Sequence, residues 1–317
     1  MKTLNKIKNT TKNPFKIILG GYGPPNTSFS KALKFIGEQI TSQLGQDVDV
    51  EYVFNVMDLG YKSEDIIKLT EEGKLTISYQ SSSYLTDAIP ELGLIDLPFI
   101  FENNNQARRN MDGALGKYFN TKIEKKMNFK ILGYFENGFR HISNRIKPIQ
   151  KPEDLNKIKI RILPSDIHKR TFDLLGSTPL KMDLVEAIER IVNGTIDAQE
   201  NPLANTVTYG VHKYHKYHTL SNHFYISRCI MCNLDQYLEW PEKIKNVVKK
   251  AIKDSVGFQR SEAEKETIIS YNTLIKHGCE IIELNPQQSK KFRETVNPIY
   301  NEAKDLFKVD IFDLIKQ

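Results

Sequence analysis

Arg161 closes the apolar segment 158–164 (IKIRILP), and Asn201 follows within the polar segment 194–202 (GTIDAQENP). An Arg at the end of a strand can present its planar fork of donors to a carboxylate, and an Asn in a tight polar turn can add an amide donor beside it. Together they predict a clamp for an organic anion. Asp197 and Glu200 lie in the same polar segment and could act as acid and base, but a spacing of three on a loop fixes no distance between them. Asp before a turn also commonly caps its own backbone. His212, His215 and His218 recur at intervals of three, which could put two imidazoles on one helical face. No Asp or Glu at helical spacing orients them, and the interleaved Lys and Tyr suit a solvated helix end, so no metal site is expected. Cys229 and Cys232 form a C-x-x-C inside residues 224–232 (FYISRCIMC), a predicted strand on which positions three apart face opposite sides. There are three cysteines in all, too few for a second pair to complete a zinc site, and they read as buried bystanders rather than a disulfide frame. No G-x-S-x-G, H-E-x-x-H or Walker motif occurs, and no cofactor is expected.

The elements that must carry these residues alternate between strand and helix. A short apolar run, residues 15–19, ends in 20–25 (GGYGPP), and an amphipathic helix is predicted over 28–44. The glycines do not make a phosphate loop, because no Gly-Lys-Ser/Thr follows and two prolines withhold backbone donors. A strand near 48–54, a helix near 63–72 and a strand over 75–79 running into 80–83 (QSSS) complete an α/β unit with a largely parallel sheet. Ligands of such sheets sit at the carboxyl ends of the strands, where Tyr22, Tyr79 and Ser81 fall. A second alternating unit follows residues 129–135, with a strand over 140–144, a connector over 147–154, and helices over 166–175 and 184–192, the latter ending at Gly194. From Pro241 to about His277 apolar positions recur at helical spacing without an internal proline, predicting a helix on the order of 50 Å that lies across both units.

Composition agrees with two units. The chain has 317 residues, 39% of them hydrophobic and 10% aromatic, which is enough for real cores. Its net charge of +6 comes from 45 Lys and Arg set among 39 Asp and Glu. That balance favours anionic partners mildly and falls short of a nucleic-acid footprint. No run approaches the roughly 18 apolar residues of a membrane span. Residues 1–12 are basic, like the start of an export signal, but no apolar stretch follows them.

Three motifs in order carry a family resemblance. Residues 138–148 (GFRHISNRIKP), 154–164 (DLNKIKIRILP) and 176–180 (GSTPL), the last followed by Glu186 and then residues 194–202, resemble the solute-binding proteins of tripartite ATP-independent periplasmic (TRAP) transporters, the DctP-like family. The likeness extends to 90–99 (PELGLIDLPF) and to the long helix, so that it covers nearly the whole chain after about residue 15. The resemblance implies an α/β, two-lobed fold like that of periplasmic binding proteins, with the long helix spanning both lobes. It places residues 14–137 and about 226–265 in lobe I, and 138–225 with about 266–317 in lobe II. It implies a periplasmic monomer that closes around a small organic acid and delivers it to the small and large membrane subunits of a permease, without catalysing a reaction. By matching position, Arg161 is the principal carboxylate-binding residue, Asn201 the amide beside it and Arg140 a second cation. Gln80 and Ser81 fall in the first-lobe loop that reaches the ligand, Leu184 sits where relatives often carry a large apolar side chain, and Tyr22 and Glu200 complete the expected site. Two departures stand out: Ala198 occupies a position where Gly is common, and Ser81 one where some sialic-acid-binding relatives are acidic. Two other readings share the pocket. One is a sensor that passes closure to a membrane receptor, and the other is an enzyme with Glu200 or Asp197 as base.

Overall fold

A computed structural model describes residues 14–307 and 309–315. The chain opens with strand β1 (Phe15–Gly20), helix α1 (Ser28–Leu44), strand β2 (Val48–Val53), helix α2 (Asp65–Glu71) and strand β3 (Ile77–Ser81). Helix α1 forms where the apolar spacing requires it. Thr27 caps it by accepting a hydrogen bond from the Ser30 N–H, and Phe29, Leu33, Ile36 and Ile40 bury one face. Two helices that the sequence reading did not anticipate, α3 (Asn104–Met111) and α4 (Ala114–Lys126), lead into the long strand β4 (Phe129–Phe139).

The second unit contains β5 (His141–Asn144), β6 (Lys159–Ile162), α5 (Asp166–Leu174), β7 (Thr178–Lys181), α6 (Leu184–Val192), β8 (Ala198–Asn201), α7 (Leu203–Thr208) and β9 (Tyr217–Leu220). The chain then returns through β10 (Tyr225–Asn233) and α8 (Leu234–Glu239) to the 35-residue helix α9 (Glu242–Lys276). At about 1.5 Å per residue that helix is roughly 50 Å long. It packs on α1 and β4 in the first unit and on α7 and the later strand β11 (Glu280–Glu283) in the second, as the sequence reading expected.

Two sheets result, in the orders β2-β1-β3-β10-β4 and β11-β9-β5-β8-β6-β7. The first sheet is mixed rather than largely parallel. β1 is parallel to β2 and β3, whereas β10 is antiparallel to both β3 and β4. The cause is the double crossing. Most strands run toward the cleft between the units, but a strand that has just crossed must start at the cleft and run away from it. β10 does so in the first sheet and β5 in the second, where it is antiparallel to both neighbours, β8 and β9. The carboxyl ends of the remaining strands therefore face each other across the cleft. At the β4–β5 crossing Gly138 takes φ +86°, beside a register shift between β4 and β10, a conformation that side-chain-bearing residues rarely adopt.

The C-terminal helices divide their contacts. Phe292 and Val296 of α10 (Pro286–Val296) join the second unit's core, whereas Ile299 and Ala303 of α11 (Pro298–Leu306), with Phe307 and Ile311, belong to the larger core built on the first unit. No helix among the described residues is long and apolar enough to cross a membrane.

Candidate functional site

The second unit supplies one wall of the cleft from strand ends. Arg161 lies on β6, with 1% of its surface exposed. Its Nε and Nη2 both donate to the Met182 carbonyl, at 3.1 and 2.9 Å, which fixes the guanidinium plane. Among the described residues no carboxylate forms an ion pair with it. Asn201 ends β8; its Nδ2 donates to Gln199 Oε1 at 3.0 Å, and its Oδ1 accepts from Asn205 at 3.4 Å. Gln199 in turn donates to Thr206 Oγ1 at 3.2 Å. Residues 198–201 thus form a fully buried strand, not the polar turn expected from their composition. Their polar side chains can be buried because each finds a partner within the fold.

Arg140 and Glu200 explain the rest of this wall. The Arg140 Nε donates to Glu200 Oε2, and Nη2 donates to Glu200 Oε1 at 2.8 Å and to the Glu200 carbonyl at 2.5 Å. Burial pushes the Glu200 carboxyl upward, but Arg140 and the His223 ring outweigh it and hold the group well below the usual carboxylate range. Glu200 is therefore ionised and committed to Arg140. Asp197 is committed elsewhere, to Arg145 and to the Lys159 N–H, so the two carboxylates do not form an acid–base pair. The histidines depart from expectation too. His215 and His218 are buried rather than solvated: Ser143 Oγ lies 2.9 Å from His215 Nδ1, and His218 on β9 bonds to the His215 carbonyl at 3.0 Å. Among the described residues no group of His, Cys, Asp or Glu could hold a metal ion. Cys229 and Cys232 are buried and free, with burial pushing the Cys229 thiol up to about 12.

The first unit's wall is aromatic. Tyr22, just beyond β1, packs against Tyr79 with ring centres 5.3 Å apart, and Phe29 stacks on Tyr79 at 5.1 Å. Gly21 is what allows this: a Cβ there would lie 2.8 Å from the Tyr79 hydroxyl and 2.9 Å from the Phe54 carbonyl. The glycine-rich segment thus serves ring packing rather than a phosphate. Ser81 ends β3 with its Oγ buried and unpartnered. Gln80 stands behind it, donating to the Ser63 carbonyl at 2.6 Å and accepting from the Ser81 N–H at 2.7 Å. The walls touch through Asp183. Its carboxylate accepts from Ser63 Oγ at 2.5 Å and from the Tyr84 hydroxyl at 3.2 Å, while capping α6 through the Val185 N–H. Burial pushes the Tyr84 hydroxyl up to about 12, against the pull of Arg161, so it remains a donor.

Of the expected residues, Tyr22, Ser81, Arg140, Arg161, Leu184 and Asn201 line one cavity, joined by Ser63, Tyr84, Asn137, Leu163, Asn205, Tyr209 and Arg228. Gln80 and Glu200 do not line it; they brace Ser81 and Arg140. The cavity has a volume of about 20 Å³, room for roughly one water. An organic acid can enter only if the lobes part. Sequence reasoning missed Arg228, although a lone charged residue inside the apolar run 224–232 was a usable signal.

The comparisons bear on the same cleft. Residues 19–305 match the model of DctP, the bacterial extracellular solute-binding protein family 7. The chain belongs to this family. Among similar DctP relatives is the C4-dicarboxylate-binding protein DctB of Bacillus subtilis (strain 168), 24% identical over 283 residues, which are 89% of this chain and 80% of that protein. The sugar acid binding protein DctPAm from Advenella mimigardefordensis strain DPN7T, solved with galactonate, superposes with a TM-score of 0.90 at 27% identity, over 96% of this chain and 98% of that one. A TRAP periplasmic solute-binding protein from Sulfurospirillum deleyianum DSM 6946, solved with succinate, gives 0.89 at 26%, over 96% and 99%. This chain is thus a two-lobed TRAP-type solute-binding protein of the DctP family, a binding protein rather than an enzyme.

Proposed function

We propose that this DctP protein captures a small organic acid in the periplasm by clamping one carboxylate on Arg161 and Asn201, and that it delivers the acid, as a monomer, to the small and large membrane subunits of a TRAP permease. The observation that carries the reading is the Arg161 guanidinium, buried at a strand end, held flat by the Met182 carbonyl and left without a carboxylate of its own. A buried cation in that state is stabilised by an anionic ligand, whose carboxylate replaces lost hydration with charge-assisted bonds. Relatives that bind succinate or galactonate support the same class of ligand. Arg140 borders the ligand with its charge balanced by Glu200. Tyr22, Ser81 and Leu184 approach from the sides, with Gln80 holding the Ser81 loop. Closure follows from binding, because the ligand favours the closed state only by its differential affinity for it.

A thermal-shift screen over organic acids tests the reading. At a hundred times Kd the true ligand is expected to add about 2.7 kcal/mol of stability. Arg161→Ala should remove that gain and leave a folded protein. A ligand that stabilises Arg161→Ala as much as the wild type would show that the clamp lies elsewhere.

A further inference from the structure

Asp183 is the buried acidic residue of the cleft that the clamp does not use. It is 7% exposed and caps the start of α6, and it does not border the cavity, although its partners Ser63 and Tyr84 do. Its two oxygens have separate tasks. Oδ1 accepts from the Val185 N–H at 3.1 Å and so serves its own helix. Oδ2 accepts from the Ser63 hydroxyl at 2.5 Å and the Tyr84 hydroxyl at 3.2 Å, residues that lie 120 and 99 positions earlier, in the other lobe. Among the described residues Asp183 forms no ion pair, so this oxygen is held by hydroxyls rather than by a cation.

The first lobe presents these donors already in place. The Ser63 carbonyl accepts from Gln80 at 2.6 Å, and the Ser63 and Tyr84 hydroxyl oxygens lie 3.5 Å apart, converging on one point. Donors fixed beforehand lose little freedom on bonding, and hydrogen bonds to a carboxylate are about twice as strong as those between neutral groups. Position adds to the effect. In the second sheet β7, which leads into α6, is three strands from β5, the strand that enters from the first lobe. That is roughly 14 Å at about 4.8 Å per strand, so an opening rotation about the β4–β5 crossing carries Asp183 away from its partners. Met182, whose carbonyl takes both Arg161 bonds, immediately precedes Asp183. Gln80, Ser63, Asp183, Met182 and Arg161 therefore form a continuous connection from the first-lobe loop to the second-lobe clamp.

We propose that Asp183 is a positioning residue that latches the lobes. On closure it captures Ser63 and Tyr84, holds the two lobes together without touching the acid, and steadies the Met182 carbonyl that orients Arg161. The bonds join protein groups alone, so they favour the closed state with or without an acid. A bound acid then has to supply only the remainder of the free energy of closure, and its escape requires the latch to break. The connection to Arg161 rests on the proposed clamp, whereas the latch itself does not.

Asp183→Ser tests it, because Ser caps a helix as well as Asp does but is one bond too short to reach the first lobe. Asp183→Asn keeps the cap and the reach and loses the charge. Spin labels at Lys68→Cys in α2 and Arg190→Cys in α6, both exposed positions, report the distance between the lobes in the full chain without any acid. Cys279→Ser removes the partly exposed native thiol. With Asp183 present, a short-distance population is expected. Asp183→Ser should shift its ratio to the open population by roughly tenfold or more, about one hydrogen bond to a charged group, with Asp183→Asn between the two. A merely structural role would lower the urea midpoint and leave the distances alone. Identical distance distributions with Asp183 and with Asp183→Ser overturn the proposal. If Asp183→Ser does not fold, Ser63→Ala makes the same comparison from the other lobe. Because no acid is used, failure here leaves the Arg161 clamp standing, and failure of the clamp in the thermal-shift screen leaves the latch standing.

Discussion

The two walls of the cleft bury polar side chains in opposite ways. On the second lobe, Arg140 bonds to Glu200 and Gln199 bonds to Asn201 and Thr206, so that this wall, apart from the charge of Arg161, is satisfied before any ligand arrives. On the first lobe, Ser81 Oγ and Arg228 Nε are buried with no partner, against a shelf of Tyr22, Phe29 and Tyr79. A self-satisfied wall holds its geometry whatever binds. A wall with orphaned donors depends on the ligand to satisfy it, and that is where a binding protein can read chemical identity. On the proposed reading, the difference separates the part of the site that positions an acid from the part that selects one.

The largest expected effect tests the self-satisfied wall. Glu200→Ala removes the partner of a buried Arg140 and should destabilise the protein by about 3–5 kcal/mol, the cost typical of an uncompensated buried charge. Urea unfolding of the ligand-free protein measures it. A loss below about 1 kcal/mol, in the range of an exposed ion pair, would mean that this wall is not the rigid half.

Acid and alkali should break the two walls separately. Burial lowers His141 and His215 in the second unit from 6.5 to about 3 each. The unfolded chain takes up protons there that the fold refuses. The stability they contribute is therefore full above pH 6.5 and is lost as pH falls toward 3, with Glu200 adding to the loss below 4.5. On the first-lobe side, burial raises Tyr84 from 10 to about 12 and Tyr22 further still. Their contribution is full below pH 10 and is lost as pH rises above it. Hydrogen exchange across pH should show strands β5 and β9 opening first in acid, and β1 and β3 in alkali. An acid limb that begins only near pH 4.5 would mean that the histidines are not held neutral.

What was legible in the sequence follows the same division. Helices α1 and α6 begin and end where periodicity and caps place them, and α9 shows its length through an unbroken apolar spacing. Those signals are local. Strand β8 was hidden because its four residues, Ala-Gln-Glu-Asn, look like a turn until Arg140 and Thr206 arrive from elsewhere to satisfy them. The reversed direction of β10 was hidden for a related reason, since it depends on which lobe the chain has just left. Arg228 gave a local signal, a charge inside an apolar strand, but its meaning lies in the three rings and the serine that surround it. Those come from β1, α1 and β3, more than a hundred residues away. Arg161, Asn201 and Ser81 could be named from their positions in the sequence, whereas the surroundings of Arg228 are read only once the fold has brought the rings together.

The smallest effect on stability is expected at Ser81, and it sharpens the contrast most. Removing a bonded hydroxyl from a buried site usually costs about 0.5–1.5 kcal/mol. Ser81 Oγ has no bond to lose, so Ser81→Ala should change the unfolding free energy of the ligand-free protein by less than about 0.5 kcal/mol, or raise it slightly, because an unsatisfied polar atom leaves the interior. The same substitution should weaken binding of the acid by roughly tenfold, one hydrogen bond to a charged group. Paired measurements, urea unfolding without ligand and calorimetric titration with it, separate the two effects. A Ser81→Ala protein that loses stability but binds unchanged would place Ser81 with the self-satisfied wall, and the distinction between the lobes would fail at the residue where it is drawn most finely.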